Sequence, residues 1–217
     1  MKKYTYDTSK YKFKELIENH FNVNNLARLH DERRDLLPKE QLNFFTETKT
    51  KFHQHFYSKL REGWNEIELA YENFIKNEIT PMLNFKFIYQ SFPSIRFHIP
   101  NDQAIHYWHY DSDKDHMHPE WEINFQIALT DMYDTQATWI ESVPGLGDFS
   151  PMEMTYGDYY AFDGNKCIHG NKVNISGSTR VSFDFRIIPY DRYAATEVFS
   201  ATKGKKFVIG DYYKEVK

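Results

Sequence analysis

The pattern of hydrophobic and polar positions changes near residue 85 of this 217-residue chain. From Phe52 to Phe74, apolar residues recur at intervals of three and four, which is the spacing of one buried face of an amphipathic helix. Pro81 is expected to end this helix. Shorter helices are predicted around residues 11–20 and 39–46. The sequence therefore predicts that residues 1–85 form a helical support region.

After residue 85 the chain consists of short runs rich in β-branched and aromatic residues, separated by Pro, Gly, Asn and Asp. Eight runs are predicted to be strands: KFIYQS, SIRFHI, IHYWHYD, EINFQIAL, ATWIES, DYYAF, TRVSFDFRI and KKFVI. Such a series is typical of an antiparallel sandwich or barrel, including the jelly roll. The predicted fold class is α+β, mostly β with a helical N-terminal part. We interpret the chain as one domain, with a jelly-roll core over 86–190 and a C-terminal extension over 191–217.

Composition narrows the function classes. The formal net charge is −4, so there is no basic excess of the kind that binds nucleic acid or an anionic membrane. No apolar run is long enough to cross a bilayer or to act as a signal peptide. The single cysteine, Cys167, cannot form an internal disulfide. These features favour a cytoplasmic protein, and the aromatic content of 18 % is expected mainly to fill the core.

The candidate chemistry begins in the run IHYWHYD. Side chains at positions i and i+2 of a strand share a face, so His109 and Asp111 can converge on one point. An imidazole and a carboxylate supply two of the three ligands of a facial metal triad. A third candidate ligand, His169, is predicted to end a later strand.

The chain then turns and is expected to return along a strand from Thr179. The polar residues Arg180, Ser182, Asp184 and Arg186 would share one face of that strand, and the apolar residues between them would face the core. Arginines with a neighbouring hydroxyl suit a cavity that holds a carboxylate. A solvated edge strand is the alternative.

The order of His109-x-Asp111, His169 and, eleven residues later, Arg180-x-Ser182 resembles the signature of the Fe(II)- and 2-oxoglutarate-dependent dioxygenases. Residues 90–190 resemble the phytanoyl-CoA-hydroxylase-like branch, and within it the group found in streptomycin and other sugar or antibiotic gene clusters. The resemblance implies a double-stranded β-helix, which is a cupin-like jelly roll. It also implies that His109, Asp111 and His169 bind Fe(II), and that Arg180 and Ser182 bind the distal carboxylate of 2-oxoglutarate.

The implied reaction uses O2, decarboxylates 2-oxoglutarate to succinate and oxidises a small polar metabolite. Candidate substrates are a sugar, a nucleotide sugar, an aminocyclitol or an amino acid. Halogenating members of the family carry a small residue in place of the carboxylate ligand, so Asp111 favours a hydroxylase.

Five further residues are weaker candidates. Asn124 is expected to contact 2-oxoglutarate, because it lies with Gln126 on a polar face of the run EINFQIAL. Gln126, Arg96, His116 and Arg186 are candidates for substrate contact. Structural amides and ion pairs are the alternative roles. The helical region could also form the face of a homodimer.

Two alternative functions stay open. HMHPEWE also fits half of a cupin metal motif, in which His116, His118 and Glu122 would bind a metal together with His169 in an isomerase or epimerase. Pro119 interrupts the strand that would carry these ligands, and the expected preceding glycine is absent. A jelly roll that binds a ligand without catalysis is the third possibility.

Overall fold

The computed structural model describes residues 1–39, 49–103, 107–200 and 203–216. Helices dominate the described residues up to position 85, as predicted. The helix predicted at 11–20 is found at Phe13–Phe21, and the one predicted at 39–46 lies almost wholly outside the described residues. The α-helices are α1 (Thr8–Tyr11), α2 (Phe13–Phe21), α3 (Leu29–Glu32), α4 (Lys51–Arg61), α5 (Asn65–Phe74) and α6 (Thr80–Met82).

The prediction of a single long helix from Phe52 to Pro81 is wrong, because the structure has separate helices there. The chain leaves α4 at Gly63, whose φ of 95° is accessible to glycine, and α5 begins two residues later. A π-helical turn, Ile75–Ile79, then joins α5 to α6. Apolar spacing continues across the break, so the periodicity alone did not reveal it.

The described residues form ten strands in two antiparallel sheets. The strands are β1 (Lys2–Thr5), β2 (Phe87–Gln90), β3 (Ser94–His98), β4 (Ile123–Ala128), β5 (Thr138–Ile140), β6 (Ser150–Pro151), β7 (Asp158–Phe162), β8 (His169–Asn171), β9 (Arg180–Pro189) and β10 (Tyr213–Glu215). The large sheet has the order β1-β7-β4-β9-β2-β10, with β3 also paired to β9, and the small sheet has the order β6-β5-β8. This arrangement confirms the predicted class of antiparallel β structure flanked by helices.

Three of the predicted strand assignments need correction. The described part of 105–111 makes only one isolated bridge, between His109 and His169, and KKFVI at 205–209 makes only isolated bridges as well. His169 begins strand β8 rather than ending a strand. The division of the chain at residues 85 and 190 stays a prediction; β1 and β10, from the two outer regions, both pair within the large sheet.

The large sheet separates an aromatic core from a polar interior. On β9 the residues Val181, Phe183, Phe185 and Ile187 pack into the core, together with aromatic residues from α2, α4 and α5. The alternate residues of β9 face the small sheet. The faces predicted for β9 are therefore correct, and most of the aromatic side chains serve the core. Among the described residues, no helix combines the length and apolar character that crossing a membrane requires.

Burial of neutral histidine makes stability depend on pH. His53 is 3 % exposed, and burial together with the charge of Arg96 lowers its pKa to about 3. Between its unfolded pKa near 6.5 and this folded value, the unfolded chain binds the extra proton, so the free energy of unfolding falls as pH falls, by about 1.4 kcal/mol per pH unit. We expect wild type to lose roughly 2 kcal/mol more than His53→Gln between pH 6.5 and pH 5. Urea unfolding at the two pH values measures this, and equal losses would contradict the assignment.

Candidate functional site

Two histidines are held side by side by their backbones. The amide of His109 donates to the carbonyl of His169 at 3.0 Å, and the amide of His169 donates to the carbonyl of His109 at 2.9 Å. Residues paired in this way project their side chains on the same side of the ladder. The two imidazoles consequently lie with their centroids 4.6 Å apart.

Asp111 completes a three-residue cluster with the histidines. Its amide donates to the carbonyl of Gly164, which fixes the chain two residues beyond His109. Its Oδ1 lies 3.5 Å from His109 Nε2 and 3.8 Å from His169 Nε2. The candidate ligand atoms all lie within 4.8 Å of one another, and all three residues are buried. The fold therefore brings together the three predicted residues, His109, Asp111 and His169.

The histidine rings are oriented by backbone carbonyls. His109 Nδ1 lies 3.2 Å from the carbonyl of Tyr107, and His169 Nδ1 lies 3.1 Å from the carbonyl of Cys167. Donation from Nδ1–H leaves the Nε2 lone pair available as a metal ligand. Burial, with the neighbouring His109, lowers the pKa of His169 to about 4, so this imidazole is neutral at physiological pH.

One oxygen of Asp111 is committed to protein partners and the other is not. Oδ2 accepts hydrogen bonds from Asn124 Nδ2 at 2.6 Å and from Arg186 Nε and Nη2 at 2.9 and 2.7 Å. Burial acts to raise the pKa of Asp111, but the Arg186 guanidinium and the adjacent His109 hold it well below its usual value. The carboxylate is therefore charged and oriented, with Oδ1 directed toward the two histidines.

The donor set fits a divalent first-row metal. Two neutral imidazole nitrogens and one carboxylate oxygen are the ligands of the facial triad of non-haem Fe(II) oxygenases, in which further positions stay open. The partners on the far side of each ligand satisfy the requirement that such ligands be oriented by hydrogen bonds. His109, Asp111 and His169 are thus a candidate metal centre.

A cavity beside this cluster contains polar atoms with no partner. Among the described residues, five buried side chains of the two facing sheets each have one such atom: Asn124 Oδ1, Gln126 Oε1, Asn171 Nδ2, Arg180 Nε and Ser182 Oγ. All of these residues except Ser182 line a narrow cavity of about 30 Å³, which His109, Asp111 and His169 also line. Each unpaired buried group costs about 1–3 kcal/mol, so the cavity is suited to a polar ligand that supplies the missing partners.

Charge identifies the kind of ligand. Of the three arginines in the cavity, Arg96 is paired with Asp184 and Arg186 with Asp111. Arg180 is 1 % exposed, and no carboxylate among the described residues lies within 4 Å of its guanidinium. Burial lowers its pKa to about 10, which still leaves it charged. A buried, charged and unpaired guanidinium favours an anionic ligand.

Neighbouring side chains hold Arg180 in place. Its Nη1 donates to Thr138 Oγ1 at 2.8 Å and to Asn171 Oδ1 at 2.9 Å. The sequence analysis did not identify Thr138 and Asn171 as residues of the site. Asn171 could have been found, because it lies two residues after His169 and shares its face of β8; no comparable signal indicates Thr138.

The remaining predicted residues are placed as follows. Asn124 and Arg186 contact Asp111, so their hydrogen bonds go to the candidate ligand itself. Gln126 Nε2 donates to Asp184 Oδ1 and Thr138 Oγ1, and Arg96 Nε donates to Asp184 Oδ2. The roles predicted for them toward 2-oxoglutarate or substrate stay predictions.

The residues of the cupin alternative are already engaged with each other. His118 Nδ1 lies 2.7 Å from Glu122 Oε2, and the other oxygen of Glu122 accepts from the hydroxyl of Tyr213. Glu122 also lies near Arg186 and, with His118 and Asp111, forms a second group of possible metal ligands. His116 stacks on the ring of His109 with the centroids 4.1 Å apart and is hydrogen-bonded to Asp113.

Substitution of single histidines separates the two candidate centres. We expect His109→Ala to lose Fe(II) binding, because it removes a ligand of the open cluster, whereas His118→Ala should keep it. Equilibrium dialysis of Fe(II) under anaerobic conditions measures both variants. The reverse result would favour the centre built on His118 and Glu122.

The chain has a named relative in sequence and shares its fold with a solved structure. No family model matches the chain. The chain is 30 % identical over 171 residues to the streptomycin biosynthesis protein StrG of Streptomyces griseus, a match that covers 79 % of each protein.

Among solved structures, the fold is similar to that of SnoK, a non-heme alpha ketoglutarate dependent carbocyclase from nogalamycin biosynthesis. The TM-score is 0.53 at 14 % identity, covering 98 % of this chain and 89 % of SnoK. AviO1 from Streptomyces viridochromogenes Tue57 matches at 16 % identity over 88 % of this chain and 90 % of its own, with a TM-score of 0.45. At these identities, the likeness to SnoK concerns the fold.

Proposed function

Because the chain belongs to the family of StrG and has the fold of a 2-oxoglutarate-dependent oxygenase, we propose that it is an Fe(II)- and 2-oxoglutarate-dependent oxygenase that hydroxylates a small polar metabolite. One observation carries the proposal. The His109, Asp111 and His169 cluster and the unpaired Arg180 line the same buried cavity. A metal centre and an anion site in one cavity are what a reaction between Fe(II) and 2-oxoglutarate requires.

Fe(II) would be held by His109, Asp111 and His169. When bound with 2-oxoglutarate, it supplies oxidising power from O2, and the co-substrate is decarboxylated to succinate. The protein's part is to orient the ligands and leave positions open. Arg186 and Asn124 orient Asp111 by donating hydrogen bonds to Oδ2, which would leave Oδ1 to bind the metal.

The distal carboxylate of 2-oxoglutarate would be bound by Arg180 and Ser182. The Arg180 Nε–H and the Ser182 hydroxyl are both buried without a partner, and both can donate to a carboxylate. Thr138 and Asn171 fix the guanidinium, so little side-chain entropy would be lost on binding. The keto-acid end would then point along the cavity toward the histidines.

Hydroxylation is proposed over halogenation because the third ligand is a carboxylate. A halide ligand would need the room that the Asp111 carboxylate takes up, and the hydrogen bonds of Asp111 with Arg186 and Asn124 hold the carboxylate in place. The substrate proposed is a sugar, nucleotide sugar, aminocyclitol or amino acid, in keeping with a relative named for streptomycin biosynthesis.

Succinate formation tests the proposed function. Protein loaded with Fe(II) is incubated in air with 2-oxoglutarate and panels of these metabolites, and succinate is measured with and without each panel. We expect at least one panel to stimulate succinate release and to yield a product heavier by one oxygen. Absence of any Fe(II)-dependent succinate, even without a metabolite, would contradict the proposal. The predicted homodimer and cytoplasmic location remain predictions.

A further inference from the structure

A second, larger cavity lies next to the candidate metal site. It has a volume of about 630 Å³, within the range of pockets that bind small molecules. Its walls come from α4, the turn between β2 and β3, and the C-terminal extension, including Tyr57, Phe92 and Tyr212. Arg96 lines both this cavity and the one that contains the His-Asp-His cluster. The two cavities therefore share a wall.

The larger cavity is positively charged although the chain as a whole is not. Its lining includes five cationic side chains, against two acidic ones, in a protein of net charge −4. Three of the cations have carboxylate partners: Arg96 with Asp184, Lys205 with Asp211, and Lys214 with Glu72. The other two are Lys203 and Arg61, and among the described residues no carboxylate lies within 4 Å of either.

Lys203 is a lining lysine without an acidic partner. Its Nζ donates to the carbonyl of Phe92 at 2.7 Å, and the protonated amine has two further donors for other partners. Burial and the like charges of Arg186, Lys205 and Arg96 lower the pKa of Lys203 well below its usual value, which disfavours the protonated amine while no anion is bound. An anion bound beside Lys203 would reverse this effect and favour the charged form.

The rest of the lining suits a polar organic molecule. Tyr57, Phe92 and Tyr212 contribute aromatic surface, while Ser91 and Ser94 contribute hydroxyl groups. Aromatic faces together with hydroxyl groups are suited to a hydroxylated carbon skeleton. The anion would thus be one group of a larger molecule.

We propose that this cavity binds the anionic group, a phosphate or a carboxylate, of a sugar-sized substrate, with Lys203 and Arg96 as its charged contacts. The assignment of the ligand as substrate rests on the proposed function, and it narrows the substrate class to anionic metabolites. Lys203 would donate to the anion with the N–H groups that the Phe92 carbonyl does not occupy, and Arg96, which lines the same cavity, would supply a second positive charge. Arg61 contributes positive charge at the edge of the cavity.

Binding to metal-free protein tests this proposal without relying on catalysis. Glucose 6-phosphate, glucuronate and glucose are titrated separately, by calorimetry, into the full chain. We expect one or both anionic sugars to bind more tightly than glucose, and the difference between them identifies phosphate or carboxylate as the preferred group. Equal binding of all three, or no binding, would overturn the proposal.

Matched variants locate the site. Lys203→Gln removes the charge but keeps a donor for the Phe92 carbonyl, and it should weaken binding of the anionic sugar by about tenfold or more. Lys205→Gln, a change in a lining lysine that already has an acidic partner, should have a much smaller effect. Arg61→Gln gives a second test at an exposed position and should weaken binding severalfold. Equal weakening by Lys203→Gln and Lys205→Gln would overturn the proposal.

One further variant keeps this proposal separate from the proposed function. Arg180→Gln should leave binding of the anionic sugar unchanged while it weakens binding of 2-oxoglutarate. If Arg180→Gln abolishes sugar binding, the anion occupies the smaller cavity and the proposal is wrong. If the sugar binds as expected but no Fe(II)-dependent chemistry is found, the binding site stands and the proposed function fails.

Discussion

Replacing Asp111 by alanine is expected to abolish Fe(II) binding and turnover. The substitution removes the only carboxylate ligand of the cluster and leaves the imidazoles of His109 and His169. Loss of partners that merely orient a ligand costs about 10–100-fold in metal affinity, so loss of the ligand itself should exceed that range. Anaerobic equilibrium dialysis of Fe(II) and the succinate assay measure the two effects.

A control is needed because Asp111 also neutralises Arg186. Removing one member of a buried ion pair typically costs 3–5 kcal/mol, so Asp111→Ala should also lower the thermal stability. Asp184→Asn is the matched control, since Asp184 is paired with Arg96 in the same cavity but is not a candidate ligand. Asp184→Asn should lose stability and still bind Fe(II). Retention of Fe(II) by folded Asp111→Ala would contradict the assignment of the metal centre.

Replacing Arg180 by glutamine should raise the dissociation constant of 2-oxoglutarate steeply. A hydrogen bond to a charged group contributes about 1.5–3 kcal/mol, and an arginine fork offers two. The expected change is therefore roughly 100-fold to 10⁴-fold. Titration of 2-oxoglutarate into protein loaded with Fe(II) under anaerobic conditions measures it.

Two comparisons show whether this effect belongs to the anion site. Fe(II) binding by Arg180→Gln should stay normal, because no contact joins Arg180 to the His109, Asp111 and His169 ligand atoms in the described structure. Arg180→Lys keeps the charge but not the fork and should restore only part of the affinity. An unchanged dissociation constant for 2-oxoglutarate in Arg180→Gln would place the co-substrate elsewhere.

Strand periodicity predicted which residues share a face. The polar face of β9 and the polar face of β4 both line the small cavity. These faces could be predicted because the alternation of side chains along a strand is a local property of the chain. The same rule placed His109 and Asp111 together even though the segment forms a bridge rather than a strand. Faces are thus readable from sequence.

The partner that a residue finds on its face is not readable in this way. Asn124 and Arg186 were predicted to contact 2-oxoglutarate or substrate, but their hydrogen bonds to Asp111 depend on β4, β9 and the 107–111 segment meeting in space. The pairings of β1 with β7 and of β10 with β2 join segments that are distant along the chain. The glycine break at residue 63 was hidden because apolar positions keep their helical spacing on both sides of it.

The resemblance to a family could be read from the sequence, whereas the hydrogen-bond partners of individual site residues could not. The fold expected from the resemblance is confirmed by the match to SnoK, and the expected similarity to a protein of a streptomycin gene cluster is confirmed by the match to StrG. The motif residues that carry the resemblance sit at one cavity, where each has a geometric reason for its identity. The more specific assignment to the phytanoyl-CoA-hydroxylase-like branch stays a prediction.

The most direct test of the account needs no substrate. Fe(II) and then 2-oxoglutarate are added to the protein under anaerobic conditions, and the visible spectrum is examined for the weak charge-transfer band of the Fe(II) chelate with 2-oxoglutarate. We expect a band in wild type that is absent from Asp111→Ala and that needs far more 2-oxoglutarate in Arg180→Gln. Fe(II) binding with no such band at any 2-oxoglutarate concentration would contradict the proposed binding of Fe(II) and 2-oxoglutarate at this site.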